Sequence, residues 1–206
     1  MADYTAKDVQ ELRQATGSGM MDAKNALREA DGDKQRAAEI LREKGLADAA
    51  KRADRAQAQG TIGSYLHLQT GRPVIGVLVE LASETDFVAK SDEFQMAAND
   101  IAMHIAAAQP QWVREEDVPE DVLEKERELI AAQARNEGKP DHIIDKIVEG
   151  RVASFFERTV LYDQPFVRSE KFEGTVGEMV QQLAATMGEN ISVARIARLH
   201  VGQDAG

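Results

Sequence analysis

The sequence predicts an α+β protein: an N-terminal three-helix module, then an α/β core with a small antiparallel sheet and a projecting helical hairpin. Three observations carry this expectation. Over residues 1–45 apolar residues recur at helical spacing, punctuated by Gly17, Gly32 and Gly45. In the run VIGVLVEL the period changes to two, with Ile75, Val77, Val79 and Leu81 on one face of a strand. Beyond Pro119 two long helical patterns meet at Gly138-Lys139-Pro140, which reads as an antiparallel helical hairpin over 119–160.

Each element has a local cause. Thr5 before Ala6-Lys7-Asp8 is a capping-box variant, opening a short helix that carries Val9 and Leu12 as far as Gly17. A second helix follows Gly19, runs through Met20, Ala23 and Leu27, and stops at Asp31-Gly32. A third starts near Asp33, puts Ala37, Ile40 and Leu41 on one face, and is expected to stop at Gly45. Helices this short are unstable alone, so the three must share one core, giving a module over 1–45. Residues 46–60 have high helix propensity and few apolar residues, and read as a linker helix.

The remaining core spans 61–206. Residues 61–69 and the VIGVLVEL strand are joined by Thr70-Gly71-Arg72-Pro73, a hairpin-type connection. From Asp92 a helix carries Phe94, Ala97, Ile101, Ile105 and Ala108 on one stripe and stops at Pro110. Pro119 opens the first hairpin helix, and the second carries Ile144, Ile147, Phe155 and Phe156. Thr175-Val176-Gly177-Glu178 is a capping box for a helix ending at Gly188. Ile191, Val193, Ala197, Leu199 and Val201 then alternate as a last strand.

Composition narrows the function. The chain of 206 residues has no cysteine, which removes disulfides, thiolate nucleophiles and Cys-based zinc sites and fits a reducing compartment. The first twelve residues are too polar for a signal sequence, and no apolar run reaches ~18 residues, so a soluble, cytoplasmic protein without a membrane partner is expected. Residues 1–60 carry 11 basic and 11 acidic side chains, so the whole net charge of −11 belongs to the rest. Such an acidic body repels phosphate backbones, which argues against direct nucleic-acid binding and for a protein partner with a basic surface.

The candidate chemistry is sparse. Gly17-Ser18-Gly19 resembles a phosphate loop, but it follows a helix instead of a strand and lacks the Gly-Lys-Ser/Thr ending. His67, His104, His142 and His200 show no metal-ligand spacing, and His104, near the apolar stripe of its helix, reads as a packed or interfacial side chain. Glu84 and Asp86 have no matching catalytic partner. The expectation is a protein with no catalytic residue, cofactor or metal: not an enzyme. Lys51, Arg52 and Arg55 read as a solvated helix face.

Two apolar features stand out. Met20 and Met21 are about 100° apart on a helix, so both cannot point into one core. One is free for solvent or a partner, and both an interface and a core reading stand. Thr85-Asp86-Phe87-Val88 lies where the strand has ended and the helix has not begun. Phe87 either points outward beside a carboxylate, as a wedge with a polar handle, or caps the core of the sheet.

Taken together, several stretches resemble one known family. Leu12-Arg13, then Thr16-Gly17-Ser18-Gly19-Met20-Met21-Asp22-Ala23-Lys24-Asn25-Ala26-Leu27, with Gly32-Asp33 and Leu41-Arg42-Glu43-Lys44-Gly45, closely resemble the N-terminal signature of bacterial elongation factor Ts. Glu84-Thr85-Asp86-Phe87-Val88-Ala89-Lys90 resembles its second signature. Further similarities are Ala102-Met103-His104-Ile105-Ala106-Ala107, Glu137-Gly138-Lys139-Pro140, Glu149-Gly150-Arg151 and Gln164-Pro165-Phe166-Val167. Where family members often carry Cys after Met-Met-Asp and Asn-Cys before the Thr-Asp-Phe-Val motif, this chain has Ala23 and Ala82-Ser83. These are small replacements at packing positions.

The resemblance implies a guanine-nucleotide exchange factor for elongation factor Tu, with no covalent chemistry. It implies that 1–45 is similar to a ubiquitin-associated domain and docks on the GTPase through Arg13, Met20 and Met21. It assigns Thr85, Asp86, Phe87 and Val88 to a loop that enters near the partner's magnesium ion. The length matches a short form with one core subdomain, in which a homodimer supplies both halves and His67 serves the second half-site. A non-catalytic adaptor using the three-helix module is the alternative.

Overall fold

The computed structural model describes residues 4–203, so Met1–Asp3 of the polar N-terminus lie outside the described residues. The described residues form eight α-helices and one three-stranded sheet. The elements are α1 (Ala6–Thr16), α2 (Met20–Glu29), α3 (Lys34–Ala50), β1 (Gln59–Gln69), β2 (Arg72–Ser83), α4 (Asp86–Ala89), α5 (Asp92–Ala108), α6 (Glu120–Asn136), α7 (Asp141–Thr159), α8 (Val176–Met187) and β3 (Ser192–His200). They divide into two compact units. One runs up to Thr61 and adds Ala82–Phe94 and Val180–Ser192; the other holds Ile62–Leu81, Gln95–Met179 and the chain from Val193. Among the described residues no helix is long and apolar enough to cross a membrane.

In the first unit, the caps written into the sequence form as expected. Thr5 and Asp8 make a reciprocal capping box at α1, and Asp33 Oδ1 accepts from the Gln35 and Arg36 amides at α3. The core of α1, α2 and α3 consists of Val9, Leu12, Ala23, Ala26, Leu27, Ala37 and Leu41. Lys34 reaches across to Asp8 and Glu11, both at 2.6 Å, and holds both carboxyl groups below their usual range, by hydrogen bonding first; at Asp8 the bonds from Thr5 add to this, and at Glu11 the Lys34 charge does. The glycines of Gly17-Ser18-Gly19 are explained by helix ends: Gly17 is the left-handed C-cap of α1 and Gly19 the N-cap of α2. That segment is a helix connection, not a phosphate loop.

One boundary differs from expectation. Gly45 does not stop α3, which continues to Ala50, and residues 51–55 are turn, so 46–60 is not a separate linker helix. A Cβ at Gly45 would lie 3.1 Å from the Ala185 side chain. Close approach of α3 to the end of α8 favours a glycine there, against its usual helix penalty of about 1 kcal/mol.

In the second unit the sheet order is β1-β2-β3. Thr70 and Gly71 both have positive φ, the pair needed by a two-residue hairpin turn of the primed type. Val201 N–H donates to the Val74 carbonyl at one end of the β2–β3 pair while Arg195 meets Glu80 further along, so these strands run antiparallel. The alternation is less regular than the sequence suggests. Val77, Val79 and Leu81 are buried, but near the turn the buried residue is Val74, and Ile75 is only half-buried. In β3 likewise, Val193 is buried whereas Ala197 and Leu199, and Val201 just beyond, are exposed.

α5 lies over β1, where a Cβ at Gly63 would run into the Ala98 backbone, and it buries Ala98, Ile101 and Ile105. The hairpin of α6 and α7 turns at Gly138, and Arg151 ties its arms through Gln133 and Glu137 at 3.2 Å. Its base is an aromatic cluster of Trp112, Phe155 and Phe156 with Val118 and Val160. Thr175 and Glu178 form the expected capping box of α8.

Candidate functional site

The Thr85–Val88 segment gives the clearest geometry. β2 ends at Ser83, and one helical turn, α4, begins at Asp86 with Thr85 as its N-cap. Phe87 on this turn is 85% exposed. It does not cap the sheet core. A phenyl ring left in water gains nothing from folding, so its position depends on the backbone that carries it.

That backbone is held from a distance. Glu189, just past the end of α8, accepts the Glu84 amide at 3.0 Å, the Thr85 amide at 3.1 Å and the Thr85 hydroxyl at 2.5 Å. The Thr85 hydroxyl oxygen in turn accepts the Val88 amide. The clasp is reciprocal, because Glu84 Oε1 accepts the Asn190 amide at 2.7 Å. Asn190 Nδ2 then donates to the Ala53 and Arg55 carbonyls at 2.9 and 2.8 Å. Beneath the turn, Ser83 Oγ donates to the Thr85 carbonyl and Ser91 Oγ to that of Val88.

Glu84 and Asp86 therefore serve different ends. Glu84 is part of the clasp and also faces Arg55 at 3.5 Å, whereas Asp86 pairs with Lys90 at 2.5 Å along one helix face. The Lys90 hydrogen bond, and then its charge, hold the Asp86 carboxyl below the usual range. Asp86 is thus an exposed anion beside an exposed ring.

The other candidates divide. Met20 and Met21 are both exposed, at 50% and 64%, so the core reading fails for each; Arg13 is exposed on the preceding helix, and all three lie in the same compact unit as Phe87. His67 is exposed on β1, its ring 6.4 Å from that of Tyr65, and belongs to the other unit. The basic run is more structural than expected: Lys51 pairs with Asp48, Arg55 with Glu84, and Arg52 donates to the Ala184 carbonyl.

His104 is fully buried and internal. Its Nδ1 accepts the Val167 amide, which leaves Nε2–H to donate to Gln164 Oε1 at 2.9 Å. Burial lowers its pKa, so the ring is neutral, and its contacts are those of a packed side chain. Among the described residues no group of three or more His, Cys, Asp or Glu is arranged to hold a metal ion.

Glu189 and Asn190 are the site residues that sequence reasoning missed. The only local signal was Gly188, read as a helix stop; in the structure its left-handed φ turns the chain so that the next two residues reach the Phe87 turn.

Comparison with known proteins identifies the family. The family model described as Elongation factor TS matches residues 3–173. The Elongation factor Ts of Carboxydothermus hydrogenoformans is 52% identical over 97% of this chain and 89% of its own length. That of Thermosipho melanesiensis is 50% identical over 97% and 99% respectively. That of Solibacter usitatus is 50% identical over all of this chain and 95% of its own. With a family model across most of the chain, near-complete relatives at half identity, and both signature segments on one compact unit, the chain belongs to the elongation factor Ts family.

Proposed function

We propose that this protein is a guanine-nucleotide exchange factor for the GTPase elongation factor Tu, acting in translation elongation. The observation that carries the reading is Phe87, fully presented to solvent on a turn whose backbone is nonetheless fixed. Phe87 inserts beside the partner's nucleotide site and disturbs the surroundings of its magnesium ion. Mg²⁺ demands near-ideal octahedral geometry, so a small displacement of its ligands weakens nucleotide binding. Each tenfold loss of GDP affinity needs about 1.4 kcal/mol of differential binding. Burying one Phe supplies ~1.5–3 kcal/mol, and the coupling is reciprocal, so bound GDP weakens the factor equally. No bond is made or broken.

Arg13, Met20 and Met21 form the docking face on the three-helix module, which resembles a ubiquitin-associated domain. The domains are the three-helix module, which runs to the end of α3 at Ala50, and the exchange core over 61–206. The test is direct: added to elongation factor Tu loaded with a fluorescent GDP analogue, the protein accelerates release. No acceleration at any concentration rejects the reading.

A homodimer completes the second half-site, with His67 of one copy and Phe87 of the other meeting the same GTPase. What supports this is the face of the sheet that carries Leu78. Ile62, Leu66 and Leu68 of β1, Leu199 of β3 and Val201 beyond it are exposed alongside Leu78. An apolar sheet face of this extent is costly to leave in water and fits a second copy of itself. Light scattering at micromolar concentration should give twice the 22.6 kDa chain mass. A particle of one chain mass that is still active in exchange overturns the dimer.

A further inference from the structure

We infer that Glu189 is a positioning residue for nucleotide exchange: its carboxylate fixes the turn that presents Phe87, and exchange depends on it without its touching the partner. The inference rests on the reading of Phe87 as the inserting side chain. Nothing about the Phe87 ring itself holds it in place. The ring is 85% exposed, Asp86 pairs with Lys90 along the helix face, and α4 is a single turn. A helix of one turn has no stability of its own. Order at this turn must come from bonds that hold its backbone, and two backbone amides together with the Thr85 hydroxyl donate to one carboxylate.

The bonding pattern is suited to that task. Both Glu189 oxygens are used, Oε2 by the Glu84 and Thr85 amides and Oε1 by the Thr85 hydroxyl. Because that hydroxyl gives its proton to Glu189, its lone pairs face the Val88 amide, so the carboxylate also orients the N-cap of α4. Hydrogen bonds to an ionised acceptor are stronger than neutral ones. A turn fixed beforehand does not have to be ordered when it meets a partner, and this raises the interaction available at the transition state for release.

The same stretch of chain also seats the three-helix module. A Cβ at Gly17 would lie 3.1 Å from Thr186 Cγ2, one at Gly45 would lie 3.1 Å from Ala185, and Arg52 donates to the Ala184 carbonyl. Residues 184–190 therefore brace the module bearing Met20 and Met21 on one side and the Phe87 turn on the other. Glu189 is the contact that belongs to the turn alone.

The test compares the parent with Glu189→Ala, Glu189→Gln, Phe87→Ala and the double Phe87→Ala/Glu189→Ala variant. Stopped-flow release of a fluorescent GDP analogue from elongation factor Tu is measured over a range of factor concentrations, and amide hydrogen exchange is followed at Glu84, Thr85 and Val88. Glu189→Ala is expected to lower the maximal release rate about tenfold, the scale of one charge-assisted hydrogen bond. The concentration giving half-maximal rate should shift much less, and the three amides should exchange faster. Glu189→Gln, which keeps one acceptor oxygen and the side-chain volume, should lose less; it carries the comparison alone if the alanine variant does not fold. The double variant should be no slower than Phe87→Ala. If Phe87→Ala slows release while the Glu189 variants leave the maximal rate unchanged, or if the two losses add in full, the positioning role is wrong. If Phe87→Ala itself leaves release unchanged, the reading of Phe87 fails, and this inference falls with it.

Discussion

Phe87 and the Met20–Met21 pair are both exposed apolar groups in one compact unit, yet they are held in opposite ways. The methionines sit on the first turn of α2, whose conformation is set by its own sequence and by the neighbouring core residues Ala23, Ala26 and Leu27. Phe87 sits on a single turn that is tied by Glu189, about a hundred residues further along the chain. An apolar side chain offered to a partner cannot be stabilised by its own burial in the free protein. It needs a rigid base, and the two regions show a local and a long-range way of making one.

This contrast can be broken deliberately. The largest effect is expected from Phe87→Ala. It should slow GDP release about ten- to hundredfold, the loss of ~1.5–3 kcal/mol of burial in the complex, while the melting temperature stays that of the parent. A large fall in melting temperature would mean that the ring packs in the free protein. Next comes Gly188→Ala, which probes the long-range base without touching the turn. Nothing lies within 4 Å of the added methyl, so the cost is that of a left-handed φ of +73°, about 1–2 kcal/mol of stability. Denaturation should show that loss and exchange should slow, whereas Gly188→Asn, better suited to this conformation, should recover part of both. Equal stability of Gly188→Ala and the parent would show that the bend does not depend on this residue.

The smallest effect belongs to the local base. Changing Met20 and Met21 together to Ala should weaken complex formation severalfold and leave the module folded, since Ala favours helix more than Met does. Circular dichroism separates the outcomes: unchanged helicity with weaker binding supports a docking face, and equal affinity for variant and parent removes it.

How far each region was legible in the sequence follows the same division. The caps at Thr5, Asp33 and Thr175 were readable because the bonds that make them join residues two or three apart. Phe87 was visible as a candidate, but its exposure was not, because the same strand-to-helix position is compatible with a ring turned inward or outward. Gly45 misled because a helix breaker and a packing glycine look alike until Ala185 is seen beside it. In β2, Val74 is buried out of step with Val77, Val79 and Leu81, and alternation along one strand does not show which neighbours cover its end.

The sequence by itself determined the three strands, the helices other than α4, the shared core of α1 to α3, the hairpin of α6 and α7, and the segments that mark the family. These rest on interactions whose range along the chain is a few residues, or on periodicities that one strand or helix carries alone. Only the tertiary structure decided that α3 passes through Gly45, that the apolar residues at the far end of β3 face outward, and that Glu189 and Asn190 hold the Phe87 turn. Each depends on groups brought together from distant parts of the chain, and the closing of such long loops leaves no local pattern to read.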